Sequence, residues 1–398
     1  MRVNRFGIGV RIAGHDIAPW VIEGGTIEYG RSTVNEQPGA PTCHLTMFTR
    51  EGYPNNPQSW FDYGIGRWDT VSGFVAAHDT TDVYIGEGLP LFIGAPVWVS
   101  ATTGTGIDVR RFTGKVQSIE YSRYRLDVVC SGTLEEWASK GIMRPPELGI
   151  DAMQDDARAA YLAWESSAPT DLHIEPAAGI NFPGLVMMAV PEDGYPICLL
   201  PELQNLADDA DALLYQDREG RVIYRHRSWE PPAEYAIPSG IVNANAIDMV
   251  LELGDMPSRV VVEYGAPDAV TGYRESAAYE GDESRYVYGF RTAFYTPPLD
   301  DYTSAYAHAV TVFNRDAPAW HMPDVELMMT LASDAQVLDV CALDQGYPVV
   351  IHDLPDGAPM GDYHANVLGW TEDLSSSDWV ITMHLHPQYA IEQMPNPG

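Results

Sequence analysis

The chain has 398 residues, enough for two to four domains with real cores, and its 45% hydrophobic content with 22 Tyr and 10 Trp excludes a disordered chain. A formal net charge of −33, from 56 acidic against 23 basic residues, excludes a surface that grips nucleic acid through its phosphates. No apolar run reaches the roughly 18 residues of a membrane helix, and no secretory hydrophobic segment follows Met1-Arg2-Val3-Asn4-Arg5, so the expectation is a chain made and kept in a cytoplasm or released by lysis.

Alternating apolar residues and the 30 Pro and 35 Gly scattered between them predict strands over most of the first third: Phe6 to Ile12, Trp20 to Tyr29, Thr42 to Phe48, Leu91 to Val99, Arg111 to Ile119 and Arg125 to Cys130. Glu51-Gly52-Tyr53-Pro54-Asn55-Asn56-Pro57 between them is a loop by composition. From Thr133 the period changes. Leu134, Trp137 and Ala138 predict a short helix, Asp151 to Trp164 a longer one, and Pro201 to Leu214 a third with Leu203, Leu206 and Ala210 on one face. A hairpin over Leu213 to Tyr224 turns at Asp217-Arg218-Glu219-Gly220. Residues 231 to 258 read as a connection, Arg259 to Tyr264 as a strand, Asp268 to Ser284 as an exposed acidic loop, and Tyr302 to Phe313 as a helix. Val325, Leu327, Met329 and Leu331 then alternate with Glu326, Met328 and Thr330, as a strand does.

One strand signature occurs near each end. Gly94-Ala95-Pro96-Val97, Phe112-Thr113-Gly114-Lys115-Val116 and the run through Leu126, Val128 and Cys130 correspond to Gly346-Tyr347-Pro348-Val349, Val367-Leu368-Gly369-Trp370 and the run through Trp379, Ile381, Met383 and Leu385. Two copies are too few for a solenoid or propeller, so the pattern predicts one antiparallel β unit used twice, as two similar barrels or sandwiches. The fold class expected is α+β, mostly β: two related antiparallel β-barrel domains of tube type, with an inserted α+β middle region. The boundaries are residues 1–135 for the first barrel, 136–255 for the middle domain with its helix and hairpin, 256–388 for the second barrel with a helical and acidic-loop insertion, and 389–398 for a tail.

Candidate chemistry is sparse. His384 and His386 lie two apart on one strand and share a face, a spacing some metal sites use, but the sequence supplies no third ligand nearby and a solvated face accounts for them better. Glu135-Glu136, Asp208-Asp209 and Asp300-Asp301 have the residue types of a glycosidase pair, yet with 56 carboxylates such pairs carry no information, and Asp208 and Asp209 fall on the solvent side of a leucine-faced helix. Asp208-Asp209-Ala210-Asp211 lacks the glycine and terminal glutamate of a calcium loop. Gly7-Ile8-Gly9-Val10-Arg11-Ile12-Ala13-Gly14 has the wrong glycine spacing for a nucleotide, and no helix follows it. Cys43, Cys130, Cys198 and Cys341 show no CxxC spacing and read as reduced. The expectation is no catalytic residue, no cofactor and no metal.

Several stretches together resemble the baseplate hub, or distal-tail hub, proteins of tailed bacteriophages, often called minor tail proteins. They are Gly14-His15-Asp16-Ile17 with Tyr29-Gly30-Arg31, Arg50-Glu51-Gly52-Tyr53-Pro54-Asn55, Phe112-Thr113-Gly114-Lys115-Val116, the helix and hairpin from Leu199 to Arg227, and the ending Gly346 to Pro387. The resemblance implies a structural virion protein without enzymatic activity: a homotrimer whose two barrels per chain make a six-barrel ring that continues the tail tube. Its implied partners are the distal tail or tube protein, the tape measure, and tip or fibre proteins, with DNA passing through the lumen unbound and no stable membrane insertion. Its place would be the virion tail, assembled in the host cytoplasm. Eleven residues follow Pro387, which argues against an attached cell-wall hydrolase.

Size supports a ring independently. A domain of about 110 residues is roughly 30–35 Å across; six such discs enclose a hole as wide as one disc, whereas three leave about 5 Å, too narrow for a duplex about 20 Å wide. The alternatives from other classes are an acidic carbohydrate-active hydrolase, which needs two carboxylates at catalytic separation, and a monomeric carbohydrate-binding adhesin module, which needs an exposed aromatic platform.

Overall fold

The computed structural model of the protein describes residues 7–16, 21–32, 36–48, 67–69, 73–75, 93–122, 125–142, 153–166, 168, 172–175, 181–182, 197–226, 229–243, 247–251, 257–266, 268, 270–281, 291–315, 320–322, 324–354, 358, 361–375 and 378–388. The loop read at residues 51–57 lies outside them.

The front of the chain forms β1 (Gly7–Ile12), β2 (Val21–Gly30), β3 (Thr42–Phe48), β4 (Pro96–Thr102), β5 (Asp108–Ser122) and β6 (Arg125–Ser131). The middle carries helices α1 (Thr133–Ala138), α2 (Asp155–Glu165) and α3 (Leu199–Asp209) with strands β7 (Leu172–Glu175), β8 (Leu213–Gln216) and β9 (Val222–Arg225). Next come β10 (Tyr235–Ile237), β11 (Val250–Leu251), β12 (Arg259–Tyr264), β13 (Glu275–Glu280), β14 (Thr292–Tyr295) and α4 (Tyr302–Arg315). The rear holds β15 (Trp320–His321), β16 (Asp324–Met328), α5 (Asp334–Ala342), β17 (Pro348–Ile351), β18 (Tyr363–Leu374) and β19 (Trp379–Pro387). The protein is mostly β with helices packed on it, as the α+β reading expects.

Both copies of the signature lie in one twelve-stranded sheet, in the order β10-β17-β18-β2-β3-β6-β5-β4-β1 and then the two-residue segment His15–Asp16, with β19 beside β18 and β16 beside β19. Among the described residues this sheet does not close on itself, and the copies are joined where β2 pairs with β18. Its buried face alternates along each strand. Val97, Val99 and Ala101 of β4, Ile27 and Tyr29 of β2, and Trp379, Ile381, Met383 and Leu385 of β19 meet in one core drawn from both ends of the chain. A second core combines α1–α4 with the small sheets β7-β9-β8 and β13-β12-β14.

Hydrogen-bond register establishes the duplication residue by residue. Gly94 N–H donates to Val116 C=O at 2.7 Å and Val116 N–H to Ala95 C=O at 2.9 Å; Gly346 N–H donates to Val367 C=O at 2.7 Å and Val367 N–H to Tyr347 C=O at 3.0 Å. Both glycines take positive φ, 86° and 80°, which the turn demands and a side chain resists. One residue later each long strand carries a bulge, between Val116 and Ser118 against β6 and between Val367 and Gly369 against β19. Val116 therefore corresponds to Val367. This corrects the alignment of the two strand glycines: Gly114, opposite Val97, corresponds to Ala365, opposite Val349, and Gly369 to Ser118.

Other boundaries move for local reasons. The third helix starts at Leu199 and ends at Asp209 instead of running to Leu214, because Asp211 takes a φ of 53° and Leu213 already pairs in β8. The acidic stretch from Asp268 is not all loop, since Glu275–Glu280 pairs along the whole of β12. Within residues 231–258, β10 pairs in parallel with β17. The alternation from Val325 leaves the strand at Met328 and continues as a 3-10 turn over Met329–Leu331.

Candidate functional site: the seam between the two copies

At the joint, Tyr29 of β2 stands opposite Trp370 of β18, and their rings stack with centroids 5.0 Å apart. The backbones approach so closely that a Cβ on Gly369 would collide with the Tyr29 carbonyl, and one on Gly30, at φ 82°, with the Leu368 carbonyl. Beside this joint Arg111 of β5 meets Glu372 of β18 with both side chains fully shielded from solvent. Arg111 Nε donates to Glu372 Oε2 at 2.9 Å and Nη2 to Oε1. Glu372 also accepts from Trp370 Nε1 at 2.9 Å and Trp379 Nε1 at 3.2 Å, so the buried carboxylate has four donors. Burial opposes the charge on Arg111, but Cys341 and Glu372 outweigh it and hold the guanidinium above its ordinary pKa.

The middle hairpin clamps this seam. Its turn places the Arg218 guanidinium 4.0 Å from the Trp370 ring centroid, with Thr113 Oγ1 donating to the Arg218 carbonyl at 2.7 Å and Gln216 Nε2 to the Thr113 carbonyl at 2.9 Å. Burial and the neighbouring Arg111 lower the Arg218 pKa. At the far end of the hairpin, buried Arg225 lies 3.9 Å from the ring centre of Trp229, 4.9 Å from Tyr215 and 5.3 Å from Tyr347, while donating to Glu175 and to the Gln345 carbonyl. Tyr347 belongs to the second signature and Thr113 to the first. Planar guanidinium groups suit such stacked, multiply bonded positions, where an ammonium would not.

The sequence-selected residues fall elsewhere and serve local structure. His384 Nδ1 contacts Asp324 Oδ1 at 2.6 Å, and His386 faces a different environment, where burial, then Arg31, Arg315 and His321, push its pKa down to about 4. Among the described residues no group of three or more His, Cys, Asp or Glu is arranged to hold a metal. Glu136 pairs with Lys115 at 2.6 Å, and Asp301 caps α4 by accepting from Ser304 N–H at 3.0 Å. Asp208 is exposed as expected and accepts from Gln37 Nε2 at 2.7 Å, but Asp209 is partly covered and burial raises its pKa to about 6. Cys43 and Cys130 are buried opposite one another on β3 and β6, Cys341 is buried, and Cys198 is exposed. Residues Gly7 to Gly14 are a strand and its turn. A polar cavity of about 430 Å3 lies where the loop after β2, the ends of α3 and α4, and β18–β19 converge, lined by Arg31, Asp208, Asp211, Arg315, Asn366 and His386 among others.

This backbone matches solved structures over nearly its whole length. A tail protein from Neisseria meningitidis MC58 superposes with a TM-score of 0.58, covering 96% of this chain and 97% of that one at 13% identity. The 43 kDa tail protein of prophage MuSo2 from Shewanella oneidensis gives 0.58 over 96% and 98% at 12% identity, and prophage tail protein gp18 from Listeria monocytogenes EGD-e gives 0.51 over 96% and 95% at 8% identity. The fold is that of a phage tail protein. No family model matches the sequence, and no curated protein does. In this phage-tail fold the residues with the most unusual surroundings, Arg111, Glu372, Arg218 and Arg225, join one part of the chain to another. Sequence reading missed all four, because their partners come from separate parts of the chain.

Proposed function

We propose that the chain is a structural protein of a bacteriophage tail: a homotrimeric hub that joins the tail tube to the tip or baseplate and lines the DNA exit channel. Three chains supply six related β units, each maturing into a barrel of the ring, with the α+β region outside bracing it. The domain division at 135/136, 255/256 and 388/389 is part of this proposal, with residues 260–313, which share a core with residues 134–224, as the insertion in the rear unit. The observation that carries the reading is the pair of copies with identical turn bonds and bulges, set in a fold shared with phage tail proteins.

A structural role is supported by the local engagement of one member of each acidic pair, Glu136 in an ion pair, Asp208 in a side-chain hydrogen bond and Asp301 in a helix cap. A charge of −33 per chain suits a channel along which DNA slides without sticking. The neighbours proposed are a distal tail or tube protein, the tape measure, and tip or fibre proteins. Sedimentation equilibrium tests the reading: a species of three 43.9 kDa chains is expected, and a monomer at every concentration and salt level rejects it.

A further inference from the structure

The two copies differ at one strand edge. In the rear copy, residues 369–374 of β18 pair with β19 on one side and with β2 on the other. The equivalent residues 118–122 of β5 pair with β6 on one side, while β4 and its turn reach only to Lys115 and Val116 on the other. Among the described residues no strand covers that second edge. Exposure agrees: Gln117, Ser118 and Glu120 are exposed and Ile119 half-buried, whereas their equivalents Leu368 and Trp370 are 6% and 1% exposed.

The strand that would cover it exists at the other end of the chain. β3 pairs antiparallel with β6 as β16 does with β19. The outer edge of β3 is taken by β2, with a two-residue register shift between Val21 and Gly24. The outer edge of β15 and β16 is taken by a stretch in which Val242 pairs with Leu327, Val250 with His321 and Leu251 with Trp320. This segment is the rear counterpart of β2. Its far edge pairs with no strand among the described residues, and Asp248 and Val250 are exposed.

We propose that residues 247–251 of one copy pair with the 118–122 edge of β5 in the next copy, as β2 pairs with β18 inside one chain. The inference rests on the trimeric reading and says which surfaces form its interface. An uncovered edge is a template for a further strand. Edge and strand sit at different places on the same molecule, so the contact is heterologous and repeats head to tail until it closes. With three copies, three internal joints alternate with three between chains.

The test uses Ser118→Cys and Val250→Cys in a Cys198→Ser background, which removes the exposed native thiol, and a short thiol crosslinker spanning adjacent strands. The double variant should give covalent dimers and trimers on a denaturing gel, and each single variant should remain monomeric there. In parallel, amide hydrogen exchange on the unaltered protein should show protection of residues 118–122 and 247–251 on assembly. A trimer by sedimentation with neither crosslink nor protection overturns this interface and leaves the trimer standing. Crosslinking of Ser118→Cys to itself also overturns it, and a protein that stays monomeric overturns both.

Discussion

Arg111 and Glu372 stand 261 residues apart in sequence and meet where no water can replace either partner. Losing one member leaves the other charged and buried, so Arg111→Met should lower unfolding stability by about 3–5 kcal/mol, read by chemical denaturation. Adding Glu372→Gln should recover most of that loss, because the charge disappears while an acceptor for the two tryptophan N–H groups remains. Two titrating residues act in opposite directions. His386, with a folded pKa of about 4, stays neutral in the native state, so unfolding takes up a proton below the ordinary value of 6.5 and stability falls as pH drops from 6.5 to 4. Asp209, raised from 3.8 to about 6, is more protonated when folded, so its contribution falls as pH rises through the same window. His386→Gln should therefore weaken the acid loss of stability and Asp209→Asn should steepen it, in denaturation midpoints measured from pH 4 to 7.

Among elements, α5 begins with a reciprocal cap: Ser333 Oγ accepts from Gln336 N–H at 3.4 Å and Gln336 Oε1 accepts from Ser333 N–H at 2.8 Å. Ser333→Ala should cost about 1 kcal/mol in a denaturant titration. This helix was readable from Ser333-x-x-Gln336 ahead of Val337, Val340 and Cys341, yet it is short and lies between two strong strand patterns, and the sequence reading passes over it. Strands fare better where one face is buried, because the period of two is then unbroken. Thr42–Phe48 and Arg259–Tyr264 occupy the predicted residues, and the repeat signature marks real equivalents at Gly94 and Gly346. The match of Gly114 to Gly369 fails because each glycine answers a different crowding, Gly114 against the Phe112 ring and the Ser131 carbonyl, Gly369 against β2. Gly369→Ala should cost about 1–3 kcal/mol by overpacking the joint, measured by thermal or denaturant unfolding. The arginine seam was not legible at all, since its partners come from four separate parts of the chain and no local period links them.

For the whole molecule, charge sets the conditions of assembly. In the proposed trimer, three chains at −33 would repel one another over distances that salt shortens, with a screening length of roughly 10 Å at 0.1 M and 3 Å at 1 M. Added salt or divalent cation should therefore strengthen the trimer, and sedimentation that shows dissociation on raising salt contradicts this account.

The pairing of β2 with β18 also orders events in time. Gly30 leaves the ribosome some 340 residues before its partner strand is complete, which at about 5–20 residues per second is roughly 20–70 s of waiting. Until the tail end of the polypeptide is made, β2 can pair only with β3, and the edge that β18 takes stays open. A truncated product thus lacks the strand that closes the seam, and the joint can form only once synthesis has passed Leu374.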